Sequence, residues 1–272
     1  MKLDKYVMLS SLAVLLALFD SVGAMLGFWS ITRSDTRYYI LAFEFATLGL
    51  MLLNSLLIKA SVEGVPWRNV LAQGCLASLI LCICGDVVNF NLSNHFFDSS
   101  NVVKHDYLID SVLFFAPGYV MLLLVMGYIF KHYYSAQFLA KVTLLSFAVA
   151  TLSYINMVNV EAELYIIVVT YFYSILITLI GASGILLWYM YGISAPLGIW
   201  LCSIGLVLAT VADCVIGTMW IFGNDGQGFY PLARELNWVL YISSQSLVIH
   251  LPRVIELTCI KRLSNYQSIA GQ

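Results

Sequence analysis

Long apolar runs are the feature that most limits how this chain can fold. A helix needs roughly 20 mostly apolar residues to cross the hydrocarbon core of a bilayer, and about eight such runs follow one another along the chain. They cover residues 7–29, 38–58, 69–91, 108–130, 139–159, 163–190, 195–222 and 236–257. The pattern predicts an all-α fold, a polytopic membrane helix bundle that forms a single membrane domain over residues 1–272.

The amino-acid composition indicates that lipid is the main solvent of this chain. Hydrophobic residues make up 61% of it and charged residues 10%, whereas a soluble domain carries about 25% charged residues. We therefore predict two kinds of partner: the lipid bilayer and a lipid or amphipathic small molecule. The net charge of −2 gives no basis for a nucleic-acid partner. A homo-oligomer is compatible with the sequence, and no cofactor and no metal are predicted.

The distribution of lysine and arginine predicts the orientation of the chain in the membrane. Positive residues are enriched in cytoplasmic segments. If the N-terminus is inside, the inner segments carry Lys2, Lys5, Lys59, Arg68, Lys131, Lys141, Arg253, Lys261 and Arg262, and the outer loops carry Arg33, Arg37, Lys104 and Arg234. This imbalance predicts that both termini lie in the cytoplasm.

An internal repeat is the second organising pattern. An offset of 127 positions places Asp86 on Asp213 and Asp110 on Asn237, and in both halves a polar loop precedes the second residue of the pair. The same offset lays residues from about 7–132 over residues from about 135–257. Each unit contains an even number of crossings, so the sequence predicts two parallel four-helix repeats.

Carboxylates lie inside the apolar runs, while every lysine and arginine is predicted at a helix end or in a loop. The intramembrane acids are Asp20, Glu44, Asp86 and Asp213, and Asp110 begins the fourth run just beyond them. Ionisable groups in a membrane segment are expensive and mark functional sites by default. We expect these acids, which lack a basic partner in the sequence pattern, to share protons, bind a cation or face water. Hydrogen bonding between helices is the alternative.

The last run supplies polar side chains of another kind. Tyr241 and Gln245 are four residues apart and so share one face of a helix, and Asn237 lies one turn earlier. Tyrosine and glutamine donate hydrogen bonds to a polar head group, although they also join helices to one another. Taken together, the predicted catalytic residues are Asp86 and Asp213, and the predicted substrate-binding residues are Asp20, Glu44, Asp110, Asn237, Tyr241 and Gln245.

These motifs resemble the YhhN-like lysoplasmalogenases, a family of eight-helix membrane proteins. The family's Gly-Asp motif in helix three is similar to Gly85-Asp86, and its Ser-Asp motif in helix seven is similar to Ala212-Asp213. Its Tyr-Tyr-x-Ala-Gln pattern in helix eight resembles the segment from Tyr241 to Gln245. The chain departs from the family at Glu44-Phe45, where Lys-Pro is common, and at Pro117-Gly118-Tyr119, where a histidine is common.

The resemblance implies a hydrolase of lipid metabolism that cleaves the vinyl-ether bond of lysoplasmalogens to a fatty aldehyde and a glycerophospho-base. A carboxylic acid supplies the proton for such a reaction, and an ionised neighbour stabilises the cation or activates water. Asp86 and Asp213 suit these opposite roles, and Glu44 or Asp20 would hold a cationic head group. The chain also resembles, more weakly, bacterial membrane sensor modules that signal to a cytoplasmic partner. A small-solute transporter is the third hypothesis.

Overall fold

The computed structural model describes residues 4–31, 33–90, 92, 105–222 and 231–256, and within these ranges every regular element is helical. A single π-helical turn, Ile216–Ile221, extends the seventh helix. In chain order the helices are α1 (Lys5–Met25), α2 (Arg37–Val62), α3 (Pro66–Asn89), α4 (His105–Phe130), α5 (Ala136–Met157), α6 (Leu164–Tyr191), α7 (Leu197–Val215), α8 (Pro231–Val248) and α9 (Leu251–Val254).

Seven of these helices are long and apolar enough to cross a membrane, namely α1 to α7. The predicted fold class, an all-α polytopic helix bundle, is confirmed, and the chain is an integral membrane protein. The orientation of the termini stays a prediction. The helix bounds differ most at the last predicted run, 236–257, because α8 already begins at Pro231 and ends at Val248. Arg234 therefore lies in its first turn, and Glu235 follows directly.

Local sequence signals explain where several helices begin. The Asp4 carboxylate caps α1 by accepting a hydrogen bond from the Tyr6 backbone N–H at 3.0 Å. Ser135 caps α5 in the same way, through the Phe138 N–H at 3.2 Å. Pro66 opens α3, where its missing N–H costs no hydrogen bond. Pro117 lies inside α4, and the helix continues through it.

Neighbouring helices pack in chain order within each half of the bundle. In the first half α1 packs on α2, α2 on α3 and α3 on α4, and the second half repeats this order from α5 to α8. The most extensive contacts between the halves join α1 with α8 and α4 with α6, and α9 also contacts α2 and α3. We call the end of the bundle with the Asp4–Arg253 ion pair the Asp4 end. The end where Arg37 donates to the Phe90 carbonyl is the Arg37 end. The internal repeat itself stays a prediction.

Close packing between α6 and α7 depends on a glycine. A Cβ atom added at Gly184 would lie 2.7 Å from the Ser203 carbonyl oxygen and 3.0 Å from the Leu206 Cβ. The first of these atoms belongs to a helix backbone and cannot rotate away. Small residues allow such close approach where helices associate in a bilayer. Gly49 on α2 differs, because nothing lies within 4 Å of its Cβ position.

We predict that Gly184→Ala destabilises the protein by about 1–3 kcal/mol, the usual cost of forcing an extra methyl group into a packed interior. Gly49→Ala is the matched control, and it should leave stability unchanged or raise it by up to about 1 kcal/mol, because alanine is the better helix former. Thermal unfolding of both variants in one detergent measures the difference. Equal melting temperatures for the two variants would contradict the close α6–α7 contact.

Candidate functional site

The helices α3 and α7 bring Asp86 and Asp213 to the same cavity near the Arg37 end. The cavity has an empty volume of about 700 Å³, counting the part open at its mouth. Its polar lining includes both aspartates and the side chains of Asn89, Ser111, Thr170, Tyr173, Ser174, Asn237 and Tyr241. Its apolar lining includes Val112, Phe115, Met157, Ile177, Ile221 and Phe222. One chamber therefore offers both acid groups and a hydrocarbon surface.

Each of the two carboxylates accepts a hydrogen bond from a tyrosine. The Tyr241 hydroxyl on α8 donates to Asp86 Oδ2 at 2.8 Å, and the Tyr119 hydroxyl on α4 donates to Asp213 Oδ2 at 2.7 Å. Tyr173 on α6 stacks on Tyr119, with ring centroids 5.9 Å apart, and also lines the cavity. These bonds fix the orientation of both carboxyl groups.

The π-helical turn forms one wall of the cavity. Ile216, Gly217 and Ile221 from this turn all line it, directly after Asp213 in the chain. Gly217 packs against Met157 so closely that a Cβ atom there would lie 2.9 Å from the Met157 Sδ. Turns of this kind occur frequently at functional sites. The wide turn and the glycine together shape the cavity beside Asp213.

A second cavity adjoins the first on the side of α2 and α8. Its empty volume is about 430 Å³. Four residues line both cavities, namely Asp86, Asn89, Ile216 and Asn237. Glu44, Phe90, Arg234 and Trp238 line only the second. Polar residues thus line a continuous surface from the two aspartates of the first cavity to the charged side chains of Glu44 and Arg234 in the second, where they form a buried ionic group.

This ionic group corrects the expectation that the intramembrane acids have no basic partner. Arg234 Nη2 donates to Glu44 Oε1, and Arg234 Nη1 donates to Glu235 Oε1 at 2.6 Å. The three side chains are 12%, 3% and 6% exposed. The prediction was wrong for Glu44 because α8 begins earlier than expected, which places Arg234 inside the bundle instead of in a loop.

Asp20 on α1 is fully buried near the same group. Neither of its carboxyl oxygens has a hydrogen-bond partner among the described residues. Its backbone carbonyl accepts from the Trp29 indole N–H at 3.1 Å, and the next residue, Ser21, donates to the Glu235 carbonyl at 3.2 Å. Asp20 does not line either cavity.

The other predicted binding residues divide between the cavities and their surroundings. Asn237 lines both cavities and Tyr241 lines the first. Asp110 is exposed on the outside of α4, although its neighbour Ser111 points into the cavity. Gln245 is buried, one turn beyond Tyr241, and lies outside the cavity lining. The structure therefore groups Asp86, Asp213, Asn237, Tyr241 and Glu44 in the lining of the two cavities, whereas Asp20, Asp110 and Gln245 lie outside that lining.

Several lining residues escaped the sequence analysis. Thr170, Tyr173 and Ser174 are spaced three and four residues apart on α6, a polar stripe on an otherwise apolar helix. That spacing places them on one helical face and could have indicated the site. Tyr119 carried no such signal, because neither its spacing nor the 127-residue offset relates it to Asp213. Within the described ranges, no cluster of three or more His, Cys, Asp or Glu side chains is placed to hold a metal.

The ionic group yields a prediction about stability. We expect Arg234→Gln to cost about 3–5 kcal/mol, because it leaves two buried carboxylates without their counter-charge. Adding Glu44→Gln should recover part of that loss. The exposed ion pair Arg33–Asp35, at 2.9 Å, is the control, and Arg33→Gln should cost about 0–1 kcal/mol. Unfolding in SDS, followed by the helical circular-dichroism signal, measures these three variants and the single variant Glu44→Gln.

The double variant decides whether the two side chains interact. If Arg234→Gln and Glu44→Gln have strictly additive effects, the pair does not act as a unit, and the buried ionic group is contradicted.

The comparisons with known proteins leave the family open. No family model, no curated protein and no solved structure matches the chain. The resemblance to the lysoplasmalogenases thus stays a prediction that rests on the residues around Asp86, Asp213 and Tyr241.

Proposed function

We propose that the protein is a membrane hydrolase that cleaves the vinyl-ether bond of lysoplasmalogens. One observation carries the proposal: Asp86 and Asp213 line the same cavity, and each is oriented by a tyrosine hydroxyl. Hydrolysis of a vinyl ether needs an acid and a base held near one another. Two carboxyl groups in one chamber supply both.

The proposed reaction consumes one water molecule. One carboxylic acid protonates the outer carbon of the vinyl ether, and the positive charge appears on the carbon bonded to oxygen. Water adds to this carbon and gives its proton to the second, ionised carboxylate. The resulting hemiacetal collapses, with proton transfer to the ether oxygen, to a fatty aldehyde and the free hydroxyl of the glycerophospho-base. The cleaved bond is therefore the one between the former alkenyl carbon and the ether oxygen.

The polarities of the two cavities support an amphipathic substrate. Phe115, Ile177 and Phe222 offer the alkenyl chain an apolar surface in the first cavity. Glu44, Arg234 and Asn237 offer the polar head group charges and a hydrogen-bonding amide in the second. The vinyl ether joins these two parts of the substrate, and Asp86, which lines both cavities, lies where they meet.

The decisive test offers lysoplasmalogen to the protein purified in detergent and measures the aldehyde released. Asp86→Asn and Asp213→Asn keep the size of the side chain but remove its acid–base function, so each should lower the turnover rate by about 10²–10⁴-fold. Asp110→Asn is the matched control, because this exposed acid lies outside the cavity lining, and it should retain full activity.

A saturated alkyl-ether analogue separates binding from chemistry. We expect it to compete with lysoplasmalogen and to release no aldehyde. Full activity in both aspartate variants would overturn the assignment of the site. A folded, monodisperse protein that binds the analogue but releases no aldehyde from lysoplasmalogen would instead favour a ligand-sensing module. Movement of a solute across a sealed vesicle by such a protein would favour a transporter.

A further inference from the structure

A second binding site lies at the Asp4 end, away from the aspartate cavity. A groove with an empty volume of about 1350 Å³, counting its open side, runs over α8 between α1 and α7. Val7 and Leu15 of α1, which are 49% and 61% exposed, form one wall, and Leu201 of α7 forms the other. Without its open side the groove has a volume of about 660 Å³, which lies within the roughly 300–1,000 Å³ of pockets that hold drug-sized ligands.

The floor of the groove carries a polar group that lacks a partner. Ser246 of α8 is 1% exposed and lines the groove, and its hydroxyl oxygen has no hydrogen-bond partner within the part of the chain that the structure covers. Ser10 lies beside it and contacts His250 Nε2 at 2.9 Å. An unsatisfied buried hydroxyl is costly, and a polar atom of a ligand in the groove would satisfy it.

The mouth of the groove carries one positive and one negative side chain. Arg253 Nη2 donates to Asp4 Oδ2 at 2.6 Å, and both residues line the groove. The hydrogen bond from Arg253 lowers the pKa of the Asp4 carboxyl, which therefore stays charged at neutral pH. Arginine has five N–H donors, and this ion pair uses one of them. The side chains of Arg253 and Asp4 are 25% and 40% exposed, so both are accessible to a ligand.

We propose that the groove binds a phospholipid of the adjacent bilayer leaflet with a zwitterionic phosphoethanolamine head group. The phosphate binds Arg253, the primary ammonium donates to Asp4, and an acyl chain lies along α1 towards Leu15. This site does not depend on the proposed hydrolase function, because none of its residues lines the aspartate cavities.

The length of the groove fits one leaflet. Its α1 wall runs from Asp4 to Leu15, which spans about 16 Å at 1.5 Å per residue. Half of the hydrocarbon core of a bilayer is about 15 Å thick. The charged residues stand at one end of the groove and the apolar residues follow, in the same order as the head group and acyl chain of a lipid.

The head group follows from charge and hydrogen bonding. Phosphatidylglycerol offers a phosphate for Arg253 but places no cation on Asp4. Phosphatidylcholine offers a cation, but its quaternary ammonium has no N–H to donate to a carboxylate. Of these three lipids, the ethanolamine lipid alone completes both charge-assisted hydrogen bonds, which are the strong ones.

The experiment uses native mass spectrometry of the purified chain in detergent, with the three phospholipids added in equal amounts and with identical acyl chains. We expect the ethanolamine lipid to be retained about tenfold more than either of the others, as one charged hydrogen bond implies. Equal retention of the three lipids, or preference for another head group, would overturn the proposal.

Variants locate the binding within the groove. Ser11 is exposed and lines the groove, so Ser11→Phe should block it and abolish selective retention. Leu12→Phe places the same ring on the neighbouring position of α1, which is 44% exposed and outside the groove lining, and should change nothing. Selective retention that survives Ser11→Phe, or that Leu12→Phe also abolishes, would place the lipid elsewhere.

Two further variants separate the contacts to the head group. Asp4→Asn keeps a residue that caps helices equally well, so it should leave the fold intact. The roughly tenfold higher retention of the ethanolamine lipid should disappear, so that all three lipids are retained equally. Arg253→Gln should weaken retention of all three phospholipids together. Arg33→Gln, in the exposed ion pair outside the groove, is the control and should have no effect. An Asp4→Asn protein that still prefers the ethanolamine lipid would overturn the ammonium contact.

Discussion

The buried interaction of Arg234 with Glu44 and Glu235 connects the beginning of α8 to α2, and the polar interior is organised around it. The Glu44 side chain is buried inside the bundle, so the counter-charge for its carboxylate comes from the protein. Arg234 provides that charge from the first turn of a helix that also carries Asn237 and Tyr241 on its following turns. The position of α8 against α1 and α7 thereby sets where Asn237 and Tyr241 stand in the cavities.

The second constraint acts between the two halves of the bundle. Asp86 on α3 accepts its hydrogen bond from Tyr241 on α8, and Asp213 on α7 accepts its bond from Tyr119 on α4. Each aspartate is thus oriented by a helix of the opposite half, so the cavity lies where the halves meet. A chamber at such a boundary is open to a ligand from one side and is held in shape from both. This arrangement supports the proposed acid–base chemistry, in which the two carboxyl groups must keep a fixed relation to each other.

Much of the fold followed from the sequence, because hydrophobic length alone predicts which segments are helices in a membrane. The acids at Asp86 and Asp213 could be recognised for the same reason, since a charge in an apolar run is conspicuous. Arg234 could not be recognised, because a residue beside a polar loop gives no sign of belonging to the helix that follows. The role of Tyr119 could not be predicted either, because its partner Asp213 is 94 residues away in the sequence. Tyrosine is also common in apolar helices without any special role. Long-range pairing depends on how helices pack, and apolar periodicity leaves that packing undetermined.

The π-helical turn after Asp213 has a consequence for comparing this chain with other sequences. A helix with i→i+5 hydrogen bonds holds more residues per turn than an α-helix, so positions beyond Val215 point in directions that counting by 3.6 does not give. The helix α3 has no such turn and remains α-helical to Asn89. Under the predicted internal repeat, the equivalence of positions on α3 and α7 would therefore end close to the two aspartates, even though the offset of 127 residues continues. If the two halves are repeats, their alignment would need a gap of one position there to keep cavity-facing residues matched to cavity-facing residues.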